Sequence, residues 1–382
     1  MNPMNELRAA RPAHLGDGPV DDRTRTAELA RAMATPRPEA GRRRRSRPVW
    51  GLGLAGAAAA AVTAVAMVMS GGGATPTTPR APGGERVVAS AGATRVTLSA
   101  RDVLLAAAEK ADAQAEGSGD WWHSVTVNRN LYAARSGGYL VVDRTRDEGW
   151  TPAATGGDQW AGGQRLGAEP ATEADRRAWE QAGAPSEIEV VVPGKGGRAK
   201  LALSTSEGKA STSHTPLVDG DKVFWLGRNV TMKDLRTLPG DPAKLKKWLM
   251  ASYAGHGTES SSEKLSGDAW LFRVSVGLIM DMPVTPEVRG AAFRMLAELD
   301  DVKVTADVTD AEGRRGTAVS MEERYDQGGV SENRLVFDEA TGRALAHEYV
   351  VVEPGGLQAG FEPGAVWSST ALIEAGWTDD KP

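Results

Sequence analysis

Five histidines are the residues of this chain that most readily bind metals or move protons near neutral pH. They are widely separated, and none has a histidine partner four residues away on a helix: His14, His123, His214, His256 and His347. A metal site could form only through folding. His123 and His347 fall in predicted strands, and we expect exposed or hydrogen-bonded structural histidines there. The sequence therefore predicts no metal site.

One serine–lysine pair has the spacing of a nucleophile and its base. Ser261 and Lys264 match the SxxK pattern, but no KTG or SDN segment accompanies them, and a match of this kind is expected by chance. The chain has no GxxxxGK[ST], HExxH or GxSxG motif, and no GxGxxG between a strand and a helix. The sequence thus predicts no catalytic residues and no cofactor, and we do not expect an enzyme.

Adjacent carboxylates occur at three places: Asp300-Asp301, Glu322-Glu323 and Asp379-Asp380. Neighbours along a strand point to opposite faces of a sheet, so Glu322 and Glu323 do not form an acid–base pair through spacing alone. We interpret all three as solvated surface charge.

Tryptophan is unusually frequent, and ten of the eleven lie after the apolar segment that ends at Ser70. Large aromatic side chains mostly belong to a core. The alternative interpretation is that some of them rim an apolar groove for a lipid or a peptide.

The elements that position these side chains change from strands to helices and back. Ser99 and Asp102 form a capping signature for a first helix. The aromatic and β-branched runs 121–132 and 139–150 predict a hairpin through the glycines of 136–138. Helical spacing dominates 241–299, and strand alternation returns in 302–377. We predict an α+β fold, a curved antiparallel sheet of about eight or nine strands with four or five helices.

A membrane anchor precedes this domain. Val49–Ser70 contains no charged residue, and its 22 residues rise roughly 33 Å as a helix, enough to cross a bilayer core. Arginines stand immediately before it and predict a cytoplasmic N-terminus: Arg42, Arg43, Arg44, Arg45 and Arg47. A cleaved signal peptide or a buried core helix is the alternative, but the long leader and the arginines disfavour both.

The charge is asymmetric about this anchor. Residues 1–47 hold 11 arginines and 6 acidic residues, whereas the remainder holds 34 basic and 44 acidic residues. The acidic body argues against nucleic acid as a partner, and the absence of cysteine excludes disulfides. We predict a largely disordered basic tail over 1–47, a transmembrane helix over 48–70, an extracellular linker over 71–98 and an exported α+β domain over 99–382.

Four segments of the chain are distinctive: Leu238–Pro242, Pro283–Arg289, Asp310–Gly316 and Leu335–Gly342. They resemble segments of an actinobacterial family of single-pass membrane proteins, often encoded beside extracytoplasmic-function sigma factors. The resemblance implies a regulatory or envelope-sensing role, and it supplies no catalytic residues. The order of elements is also distantly similar to the half-barrel of lipoprotein carriers in periplasmic sigma-factor regulators.

These features together predict a non-enzymatic signalling or regulatory protein of the cell membrane. Its exported domain is expected to sense or bind an envelope ligand, and its tail to contact a cytoplasmic partner such as a sigma factor. The lipid bilayer is its other expected partner. The alternative is an envelope lipid- or peptide-binding module with no signalling role.

Overall fold

The computed structural model describes residues 99–194, 197–226, 228–258, 264–326 and 328–381. These residues form an α+β fold around one nine-stranded sheet, in which every neighbouring pair of strands is antiparallel. The predicted α+β class and the large antiparallel sheet are confirmed.

The strand order across the sheet is β6-β3-β2-β1-β13-β12-β11-β10-β9, and β4–β5 and β7–β8 form separate hairpins. Consecutive strands are mostly neighbours, so short turns suffice to connect them. The strands are β1 Trp121–Ala133, β2 Leu140–Pro152, β3 Asp158–Pro170, β4 Glu187–Gly194, β5 Gly197–Ser204, β6 Ser211–Pro216, β7 Lys222–Trp225, β8 Arg228–Thr231, β9 Lys303–Thr309, β10 Arg315–Arg324, β11 Val330–Asp338, β12 Arg343–Glu353 and β13 Val366–Thr378.

Six α-helices lie in the described residues, against the four or five predicted. They are α1 Ala100–Asp112, α2 Glu173–Gln181, α3 Met232–Arg236, α4 Pro242–Met250, α5 Gly267–Met280 and α6 Pro286–Leu296. The unexpected one is α3, whose five residues are too few to show a helical period. Its signal is the capping box of Thr231 and Asp234.

The helices α5 and α6 build the main core against β10–β12. Because α5 contacts α6, β10 and β12, its side chains are buried on every side, as expected for a helix that is apolar all round. Trp270 and Phe272 of α5, Phe293 of α6 and Phe337 of β11 are among the largest fully buried side chains.

The helices α1 and α6 approach closely at a glycine. Ser99 and Asp102 form the predicted capping box at the start of α1. A Cβ atom on Gly290 would lie 1.8 Å from Asp112 Oδ1 and 3.0 Å from the carbonyl oxygen of Ala108. Only glycine therefore permits this helix crossing without displacement.

The turn between β9 and β10 is hydrogen-bonded to two strands with which β10 does not pair. Arg314 donates to Asp310 Oδ2 at 2.8 Å and to the carbonyl oxygens of Leu345 and Leu372, both at 2.6 Å. Asp310 Oδ1 accepts from the backbone N–H groups of Glu312 and Arg314. This segment, one of those that carry the resemblance, thus ties the turn to β12 and β13.

The predicted tail, anchor and linker lie outside the described residues, as do the proposed topology determinants Arg42, Arg43, Arg44, Arg45 and Arg47. In the ranges that are described, no helix combines the length and the apolar content needed to cross a membrane.

Candidate ligand site

A cavity of about 200 Å³ lies beside the end of β2 and the β7–β8 hairpin. Its walls come from residues 151–155, from Leu217, Asp221 and Val223, and from Thr231, Met232 and Lys233. Most of these side chains are apolar, and the charged pair Asp221 and Lys233 is more exposed than Leu217 and Val223. The cavity is therefore apolar with two charged groups at its outer part.

Local hydrogen bonds hold the loops that form these walls. The backbone N–H of Gly156 donates to the carbonyl oxygen of Gly220 at 2.7 Å, which joins the β2–β3 loop to the turn before β7. In that turn Asp219 and Gly220 have φ values of 52° and 84°, a left-handed conformation that aspartate and glycine tolerate better than most residues. These two residues therefore shape the turn that leads into β7.

Thr151 is the chemically distinctive residue of the cavity. Its side chain is 2% exposed, and its Oγ1 has no hydrogen-bond partner in the described part of the chain. A buried hydroxyl without a partner costs about 1–3 kcal/mol. A ligand that offers Thr151 a hydrogen bond would recover this free energy.

The volume limits what can bind. A cavity of about 200 Å³ is below the usual range for drug-sized ligands. The arrangement fits a small, mainly apolar molecule with one hydroxyl or carbonyl group.

A second polar arrangement lies under α5. Arg273 Nε donates to Glu323 Oε1 at 2.9 Å, and its terminal nitrogen donates to Oε2 at 2.5 Å. Asn333 Nδ2 donates to the same carboxylate at 2.8 Å, and Asn333 Oδ1 accepts from His347 Nε2 at 2.8 Å. All four side chains are at most 5% exposed, so the network belongs to the core.

His347 is neutral in this network. Burial, and after it the nearby charge of Arg273, lowers the pKa of His347 from 6.5 to about 3. Because Asn333 Oδ1 can only accept, the proton of the neutral imidazole lies on Nε2. The ring also packs against Tyr349, with 4.9 Å between centroids.

Polar side chains also bond to one another across β13, β1 and β2. Ser368 Oγ donates to Asn130 Oδ1 at 3.1 Å, and Thr370 Oγ1 donates to Asn128 Oδ1 at 2.7 Å. Asn128 Nδ2 then donates to Asp147 Oδ2 at 2.6 Å, and burial raises the pKa of Asp147. Since these groups bond to one another, we assign them to holding the strands in register.

One of the adjacent carboxylates, Glu323, differs from the prediction. Glu322 and Glu323 do point to opposite sides, and Glu322 is exposed and bonded to Lys303. Glu323, however, was expected to be solvated and is instead 4% exposed and paired with Arg273. The prediction failed because Arg273 lies fifty residues away in the chain.

The described histidines remain apart. His123 bonds to Glu148 and His214 to Asp158 on the sheet, while His256 bonds to the backbone of Gly257. In the described ranges no three histidine, aspartate or glutamate side chains are grouped so as to hold a metal ion. His14 and the serine of the SxxK match lie outside those ranges.

Sequence reasoning missed Thr151. A single threonine at a strand end carries no pattern, and its importance arises only from the loss of hydrogen-bond partners on folding. Comparisons with protein-family models, with curated proteins and with solved structures find no match for this chain.

Proposed function

We propose that this chain is a non-enzymatic, membrane-anchored regulatory protein whose folded domain binds a small, largely apolar ligand. The observation that carries the proposal is that Thr151, whose buried hydroxyl has no hydrogen-bond partner in the described part of the chain, is one of the residues that line an apolar cavity. A buried polar group without a partner is costly, and a ligand offers a direct reason to retain it.

The remaining parts of the proposal concern location and partners. We place the chain in the cell membrane, with the tail in the cytoplasm, one transmembrane helix over 48–70 and the α+β domain outside the cell. The sheet of that domain is proposed to be curved. The arginines at 42–45 and 47, directly before the apolar segment, support this topology. The resemblance to proteins encoded beside sigma factors supports a sigma factor as the cytoplasmic partner.

Ligand binding is tested on the full-length chain in lipid nanodiscs. A library of small alcohols, ketones and amides is screened by thermal shift, and each hit is titrated by calorimetry. Thr151→Val is expected to weaken a true ligand about tenfold, equivalent to one lost hydrogen bond. Thr155→Val is the matched control, because Thr155 also lines the cavity but is exposed. If Thr151→Val and Thr155→Val bound the ligand with equal affinity, the cavity would not be its binding site.

Signalling is tested separately. The tail is used to capture partners from the native cell, and transcription is compared between wild-type and deletion strains. Replacing residues 1–40 while keeping the arginine run distinguishes the two functions. Loss of function supports regulation through the tail, and retained function supports a binding module that does not signal.

A further inference from the structure

Four aromatic residues lie in register across four neighbouring strands of the sheet. His123 of β1 is opposite Trp150 of β2, Trp150 is opposite Trp160 of β3, and Trp160 is opposite His214 of β6. Residues directly opposite one another project from the same face of a sheet. Because Thr151 follows Trp150, its side chain points to the other face, and this row is separate from the cavity.

The rings form two pairs. His123 stacks on Trp150 with 4.6 Å between centroids and 23° between planes, and His214 stacks on Trp160 at 4.5 Å and 28°. The described residues show no ring contact between Trp150 and Trp160, although the two are directly opposite. Each histidine covers the outer face of its indole, so the uncovered indole faces are turned toward each other across β2 and β3.

Carboxylates surround the two pairs. Glu148 Oε1 lies 3.2 Å from His123 Nε2, and Asp158 Oδ2 lies 2.6 Å from His214 Nδ1. Glu374 Oε1 lies 3.7 Å from His123 Nδ1. Arg146 bonds to Glu148 and is the only cation bonded to these carboxylates in the described ranges, apart from the histidines. Three carboxylates against one guanidinium leave an excess of negative charge.

We propose that Trp150 and Trp160 form a binding site for a quaternary ammonium group. A cation near the face of an indole is attracted by the ring quadrupole, and paired aromatic faces with negative charge are suited to quaternary ammonium groups. Glu148 and Asp158 accept hydrogen bonds from the histidines and supply negative charge beside the rings. A quaternary ammonium has no N–H donor, so it binds through its charge and the ring faces alone.

The test uses the full-length chain in nanodiscs of phosphatidylethanolamine and phosphatidylglycerol, because choline lipids would compete. Choline is compared with 3,3-dimethyl-1-butanol, which has the same shape and no charge. With 5-fluorotryptophan incorporated, the ¹⁹F resonances of Trp150 and Trp160 are expected to shift with choline. The uncharged analogue is expected to bind roughly tenfold more weakly or not at all.

Two sets of variants complete the test. Trp150→Leu and Trp160→Leu are each expected to weaken choline binding about tenfold. Trp179→Phe is expected to leave it unchanged, because Trp179 packs against a different cluster, around Tyr139 and Val141. The double variant Glu148→Gln/Asp158→Asn keeps the rings and removes two charges, so it guards against misfolding of the leucine variants. It is expected to weaken choline but not the neutral analogue. Equal binding of the two compounds, or unchanged choline binding in the double variant, would overturn the proposal.

Discussion

Arg273 of α5 and Glu323 of β10 form a two-point ion pair in the core, with N–O distances of 2.9 and 2.5 Å. The side chains of both residues are at most 5% exposed. Such a pair need not add stability over an apolar pair, because both charges lose their hydration. It does make the helix and the sheet dependent on each other, since neither charge is tolerated alone in the core.

This dependence predicts the effect of removing one partner. Arg273→Met leaves a buried carboxylate without its cation and is expected to lower the free energy of unfolding by about 3–5 kcal/mol. The double variant Arg273→Met/Glu323→Gln is expected to lose less than Arg273→Met alone. Urea denaturation of the four proteins in a double-mutant cycle measures the coupling. Additive losses would show that the two residues act independently.

His347 predicts a pH dependence of stability. Its pKa is 6.5 when unperturbed and about 3 in the folded protein, so the unfolded chain binds a proton that the native state rejects. The contribution to stability is complete above pH 6.5 and is lost as the pH falls toward 3, by roughly 1.4 kcal/mol per pH unit.

The variant His347→Gln isolates this contribution, because glutamine retains a donor for Asn333 Oδ1 and does not titrate. The free energy of unfolding of both proteins is measured between pH 5 and 7, above the range where most carboxylates titrate. Wild type is expected to lose more stability than the variant as the pH falls. Parallel curves would contradict a neutral buried His347.

The buried hydroxyl of Thr151 is expected to lower the stability of the ligand-free protein while it favours ligand binding. Thr151→Val removes the unpartnered hydroxyl with little change of shape and is expected to raise the free energy of unfolding of the ligand-free protein by about 1 kcal/mol. Thermal and urea denaturation measure it, with Thr155→Val as the exposed control, for which no change is expected. A destabilised Thr151→Val protein would mean that the hydroxyl has a favourable contact, and the argument for a ligand would fail.

The elements that could be predicted are those whose cause is local. The caps at Ser99 and Asp241 depend on residues within three positions, and both helices begin there. The strand β3 was missed because Gly162 and Gly163 interrupt any apolar pattern, although a Cβ on Gly162 would lie 3.3 Å from Glu148 Cβ. Here the neighbouring strand, rather than the local sequence, decides the conformation.

The candidate sites were harder to predict from the sequence than the helices and strands. Trp150, Trp160 and His214 were visible as aromatic residues, but their shared row depends on the pairing of β2, β3 and β6. Glu323 was assigned to solvent because its partner lies fifty residues away. Pairing of distant segments therefore creates the features on which both proposals rest.

Two consecutive arginines with different environments provide the last prediction. Arg314 is 32% exposed and bonds to Asp310, whose side chain is fully buried, whereas Arg315 is 75% exposed and bonds to Asp307. Three different nitrogens of the Arg314 guanidinium reach Asp310, Leu372 and Leu345. The single ammonium nitrogen of Arg314→Lys cannot occupy all three places, so at least one acceptor loses its donor. We expect a loss of about 2 kcal/mol in the free energy of unfolding.

Arg315→Lys is the matched control, because an exposed ion pair contributes about 0–1 kcal/mol and lysine preserves its charge. Urea denaturation compares the two variants, and hydrogen exchange follows the backbone amides of residues 310–316. Faster exchange is expected in Arg314→Lys only, since the turn is fastened to β12 and β13 through that guanidinium. If both variants behaved alike, charge alone would account for the turn, and the geometry of the Arg314 contacts would not be needed.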